Sequence, residues 1–124
     1  MFEVEIYSAG VNVAKDKAAT QSSNLNTFVA SRAVDGKQNS FSHTNDSTYS
    51  WWKVDLGGSF PIESVKILNR WCGNVGDVPG CLCRLSHVIL SLFDEKGQWV
   101  AATSLGDACG KLELTHSFND SGSL

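Results

Sequence analysis

The residues whose type and spacing speak most directly of chemistry are Cys72, Cys81, Cys83 and Cys109, three of them within twelve residues around a Gly/Pro/Asp-rich loop. An even set crowded in this way predicts two disulfides made in an oxidising compartment, the secretory-pathway lumen or the extracellular space. Four cysteines allow three pairings; the favoured one joins Cys72 to Cys81, closing the loop, and Cys83 to Cys109, tying the loop to a later strand. Zinc is the competing chemistry. Structural zinc sites match two short cysteine steps of roughly two to four residues, and the step from Cys72 to Cys81 is too long for that. Asn45-Asp46-Ser47 and Asn119-Asp120-Ser121 fit the N-glycan acceptor pattern and point to the same compartment.

Nothing comparable suggests catalysis. The chain has no Gly-x-Ser-x-Gly elbow, no His-Glu-x-x-His and no phosphate loop. His87 falls in an alternating apolar run and His116 in a polar tail, with no motif around either. A non-enzymatic binding module is expected. The net charge of -3 and the absence of a Lys/Arg run exclude a phosphate-tracking surface, so nucleic acid is not an expected partner. Every apolar run is interrupted well short of the roughly 20 residues that a spanning helix needs, so no membrane span is predicted.

The elements that would position any site read as strands. Apolar residues recur at period two in Phe2–Ile6, Trp52–Leu56, Ile62–Leu68, Leu85–Phe93 and Leu112–Leu114. Turn-forming clusters separate them at 8–10, 36–40, 57–59, 73–80, 94–97 and 106–107. The one helical hint is Asn26–Val34, where Asn26 or Thr27 could cap a single turn. Short strands at this spacing predict an all-β sandwich or barrel. With 42% hydrophobic and only 19% charged residues, 124 residues suffice for one core, and a single domain over 1–124 is expected.

The order of segments resembles a known family. Asn12-Val13-Ala14, Lys17-Ala18-Ala19-Thr20-Gln21-Ser22-Ser23, Ala30-Ser31-Arg32-Ala33-Val34-Asp35-Gly36, His43-Thr44, Trp51-Trp52-Lys53-Val54-Asp55-Leu56-Gly57, Val65 to Arg70 and Arg84-Leu85 together are similar to the F-type lectins, or fucolectins, over roughly residues 11 to 93. The Ala-Val-Asp-Gly and Trp-Trp-x-Val-Asp-Leu-Gly elements are shared with the wider discoidin, or coagulation-factor C-type, superfamily and so bear on fold more than ligand. The resemblance implies a jelly-roll-like antiparallel β-sandwich with long ligand-binding loops at one end.

F-type lectins place 26 residues between a His and an Arg that closes a strand, as between His43 and Arg70 here, and add a second basic residue after a loop, which Arg84 matches. The implied function is recognition of a fucose-like sugar on glycans or glycoproteins. An imidazole and two guanidinium groups offer several fixed donors to the hydroxyls and ring oxygen of such a sugar. Trp71 would supply an apolar face to the ring. The chain departs from the family where Arg-x-Asp becomes Arg70-Trp71-Cys72, and its Trp71–Cys83 segment is longer. That departure keeps open an alternative: a discoidin-like adhesion or assembly module with a degenerate pocket, whose loops meet other domains or subunits of a larger extracellular protein.

The resemblance also implies a structural calcium (Ca2+) held mostly by oxygens of the backbone. Asp35 matches its carboxylate ligand, and Arg32, Lys37 and Ser40 match one side of the cage. Read locally, Asp35-Gly36 is a turn in which the Asp side chain bonds its own backbone. The family's last strand, whose Glu closes the metal site, is similar to Phe2-Glu3-Val4-Glu5-Ile6-Tyr7. Residues 1–7 are therefore expected to take that strand's place, by permutation or because the segment is cut from a tandem array, with Phe2 and Glu3 closing the cage.

Overall fold

The computed structural model describes residues 1–37, 40–45, 49–70 and 78–118, with backbone only at 78–80. Its main layer is a four-stranded antiparallel sheet in the order β2-β1-β5-β8, formed by β1 (Glu3–Ser8), β2 (Val11–Asn12), β5 (Ser64–Leu68) and β8 (Glu113–Ser117). Two two-stranded antiparallel sheets complete the strands, β3 (Ala18–Gln21) with β4 (Trp52–Asp55), and β6 (Ile89–Phe93) with β7 (Trp99–Ser104).

Alternation in the first strand does what period two requires. Val4 sits opposite Ile67 and Ile6 opposite Val65, while Ile67 faces Leu114 on the other side. These five side chains are buried and form the centre of the core with Ala14, Ala33, Val34 and Ala108. Trp52 and Val54 of β4, Ala19 of β3 and Leu90 of β6 pack against them, so both two-stranded sheets cover the main sheet and make the second layer of an all-β antiparallel sandwich. The opposite face of the sheet carries Glu5 beside Lys66, and Lys66 reaches Glu113 at 3.5 Å.

Several local expectations are corrected. The Leu85–Phe93 run enters strand only at Ile89, because a short helix, α1 (Val78–Cys83), precedes a turn in which His87 takes φ +62° and donates its N–H to the Gly106 carbonyl. A disulfide between Cys83 and Cys109 fixes that helix end against the later loop. His116 is not in a tail: it lies in β8 opposite Val65, edge-on to Phe118 at 4.7 Å. The helical hint is a 3-10 turn at Ala30–Ala33 with Val29 at its N-cap and no side-chain cap, and Asn26 itself adopts φ +55°. No described cysteine is free, and Cys81 is disulfide-bonded; its expected partner Cys72 lies outside the described residues, as do Trp71 and parts of both glycan acceptors.

Candidate functional site

Three segments meet at one end of the main sheet. The Phe2 N–H donates to the Leu68 carbonyl at 2.9 Å, placing the chain start beside the end of β5, and Ser42 N–H donates to the Met1 carbonyl at 2.9 Å. The stretch 41–43 is thus laid along residues 1–2, and Arg70 follows directly from β5. Its guanidinium lies over the Phe41 ring, 4.3 Å from the centroid. Phe41 in turn stacks on Phe28 at 4.4 Å and 20°, and Phe2 meets it edge-on at 5.7 Å. Arg32 covers Phe28 at 5.5 Å. Phe41 stands two residues before His43, whose backbone N–H bonds the Phe28 carbonyl, so the His43 backbone and the Arg70 guanidinium are tied to one aromatic stack.

His43 is held by its backbone from both sides: its N–H donates to Phe28 and its carbonyl accepts from Leu25, at 3.0 and 2.9 Å. Gln21, at the end of β3, adds a third tie, its Nε2 lying 2.8 Å from Asn24 Oδ1, 2.9 Å from the Phe28 carbonyl and 3.2 Å from the His43 carbonyl. The imidazole Nδ1 lies 2.5 Å from the Thr44 carbonyl. A carbonyl only accepts, so Nδ1 donates to it, which fixes the direction in which Nε2 points.

Arg84 belongs to the same end but to a different support. It is exposed on the turn after α1, and its N–H closes that turn on the Cys81 carbonyl at 3.3 Å. Among the described residues its guanidinium makes no hydrogen bond or ion pair, and no contact joins it to His43 or Arg70. Buried Asn69 links the two supports: Nδ2 donates to the carbonyls of Leu82 (2.8 Å) and Lys111 (3.1 Å), while Oδ1 accepts from Arg70 N–H (2.8 Å). Nothing in the alternation of β5 marks Asn69; a polar residue just beyond an apolar strand was the only signal. An open cleft of about 260 Å³ lies between β3 and the 3-10 turn, lined by Thr20, Gln21, Asn24 and Ser31 among others and not by His43, Arg70 or Arg84.

Behind the cluster, Glu3 is only 2% exposed although it is a carboxylate. Its Oε2 accepts from Gly36 N–H at 2.9 Å, whereas Oε1 is buried with no hydrogen-bond partner. Asp35 stands beside it, and one Asp35 oxygen accepts from Lys37 N–H at 2.9 Å, the local turn bond expected of an Asp-Gly pair. Burial pushes the Glu3 carboxyl up to about 7 against the pull of the Gly36 N–H, and the Asp35 and Glu5 carboxylates raise it further. Two neighbouring carboxylates, one with an orphaned buried oxygen, fit a hard cation that would satisfy that oxygen and cancel their repulsion. Among the described residues no group of three or more His, Cys, Asp or Glu side chains is available to a metal, so the remaining ligands would be the backbone and hydroxyl oxygens of Phe2, Arg32, Lys37 and Ser40.

Comparison with known proteins follows the same lines. Fucolectin-6 of Anguilla japonica is 41% identical over 70 residues, covering 48% of this chain and 38% of that protein's length. Among solved structures, the lectin domain of lectinolysin in complex with Lewis B antigen is 37% identical, with a TM-score of 0.77 over 88% of this chain and 77% of that one. A Streptococcus pneumoniae fucose binding module is 29% identical, with a TM-score of 0.74 over 91% of this chain and 79% of that one. Residues 32–121 match the family model described as NedA-like, galactose-binding domain, of the F5/F8 type C group. The matched stretch holds the Asp35 turn, His43, the β4 and β5 strands, Arg70 and Arg84, and the chain belongs to this family of galactose-binding-like domains.

Proposed function

We propose that the chain is a lectin module that recognises a terminal fucose-like sugar on glycans or glycoproteins and performs no catalysis itself. The observation that supports this reading is the Arg70 guanidinium over Phe41, whose stacked partner Phe28 accepts from the His43 backbone, with 26 residues between His43 and Arg70 and a fold similar to that of a fucose binding module. His43 Nε2 would accept from one hydroxyl, and the Arg70 fork would donate to two oxygens, which distinguishes an axial from an equatorial hydroxyl by direction. Arg84, carried on the disulfide-clipped turn, would add further donors, and Trp71, outside the described residues, is proposed for the apolar contact.

A structural calcium at Glu3 and Asp35 belongs to the same proposal. When bound it would supply charge neutralisation behind the site; Glu3 and Asp35 would hold it, tying the Asp35 turn to β1. The disulfide of Cys83 and Cys109 supports an extracellular or secretory-lumen location.

Titration calorimetry with methyl fucoside, methyl galactoside and fucosylated oligosaccharides, in calcium and in chelator, tests the reading. Heat of binding for a fucosylated ligand, lost in Arg70→Ala, is expected. Absence of heat for every sugar in a folded, calcium-loaded sample would replace this reading with the adhesion or assembly module, its loops meeting protein instead.

A further inference from the structure

We propose that Phe41 is the positioning residue of the sugar site, its ring setting the plane and reach of the Arg70 guanidinium. The inference rests on the lectin reading above for its effect on affinity, though not for its geometry. The guanidinium lies 4.3 Å from the ring centroid, well inside the roughly 6 Å over which a cation and an aromatic face attract. Arginine is the cation suited to this, because its flat, weakly hydrated head stacks where a lysine ammonium would keep its water.

The ring is itself immobilised. Phe28 lies parallel to it at 4.4 Å, Phe2 closes its edge at 5.7 Å, and the backbone bond from Ser42 to the Met1 carbonyl holds the segment on which it stands. A side chain with as many rotamers as arginine loses freedom when it binds, and a surface that orders it beforehand removes that cost from the binding step. The guanidinium N–H donors lie in its own plane, so a ring against its face fixes that plane without drawing on them.

The test compares Phe41→Leu, which keeps apolar bulk but loses the aromatic face, with Phe41→Tyr, which keeps the face. Denaturant titration first establishes that each is folded in calcium. Affinity for a fucoside should fall about tenfold in Phe41→Leu and stay within about twofold of the parent in Phe41→Tyr. The NMR resonances of the Arg70 side chain should be shifted upfield by the ring current in the parent and in Phe41→Tyr, and return to ordinary values in Phe41→Leu. Full affinity in a folded Phe41→Leu, or equal loss in both variants, would overturn the positioning role. Unshifted Arg70 resonances in the parent would overturn the stack without any variant having to fold. A parent that binds no sugar yet shows the shift would instead remove the lectin reading and the affinity claim together, leaving the stack as packing.

Discussion

The Gly36 amide donates to Glu3 Oε2 at 2.9 Å, joining the first strand to the Asp35 turn across 33 residues of sequence. The bond makes β1 both the middle of a sheet and the back wall of the site. Its other oxygen, buried and unpartnered, makes the wall sensitive to charge.

Glu3→Gln should therefore act in opposite directions with and without metal. In chelator at pH 8 the variant should gain on the order of 1 kcal/mol, since it buries no charge. In millimolar calcium it should be the less stable of the two, having lost a ligand. The folded, metal-free parent holds the Glu3 proton up to about 7, above the ordinary 4.5, so it binds more protons than the unfolded chain between those values. That contribution to stability is fully present below pH 4.5 and is lost as pH rises through 7. Thermal melts across this range, with the Gln variant as control, read the slope; a parent melt that ignores calcium at every pH would remove the metal.

Gly36→Ala tests the turn. Gly36 has φ +75°, and a Cβ there would stand 2.9 Å from Lys15 Cε. Lysine can move aside, so the backbone conformation sets the cost, about 1–2 kcal/mol. Urea unfolding should show this loss, and calcium should restore less of it than in the parent.

Ile6→Ala removes a side chain that is only 7% exposed and faces Val65 in the core. A loss of about 2–5 kcal/mol is expected, read as a lower urea midpoint with an unchanged slope. An unchanged midpoint would mean that β1 does not anchor the sheet in solution.

Arg70→Lys should rescue little of what Arg70→Ala loses. Leaving sugar oxygens unpaired costs about 1–3 kcal/mol, roughly fivefold to a hundredfold in affinity. One ammonium neither stacks flat on Phe41 nor donates as a fork. Calorimetry showing the Lys variant within twofold of the parent would contradict the planar role.

Much of the sheet was legible because alternation is a local signal. Trp52–Leu56 and Ile62–Leu68 each hold a strand of the structure, shortened by one and two residues, and the Phe2–Ile6 run became Glu3–Ser8, ending two residues further along the chain than expected. β3 and β7 were not read, since Ala18–Gln21 and Trp99–Ser104 mix small and polar residues without a clear apolar period. The Leu85 and His87 alternation misled, because the Asn69 bond to Leu82 and the Cys83–Cys109 bond hold that segment in a turn; the disulfide was the favoured pairing, but the Asn69 bond had no local signal. Phe28 and Phe41 escaped for a related reason: each is a lone aromatic in a polar loop, and only the fold stacks them.

The Cys83–Cys109 clip holds the turn that bears Arg84, whereas Arg70 is held by the sheet and the Phe41 ring, and His43 by the backbone ties around Gln21. The two halves of the site consequently answer to different surroundings. Opening this clip alone would loosen the support of Arg84 while the sheet and the backbone ties under Arg70 and His43 remained, so the proposed site would lose one arm before it lost the fold.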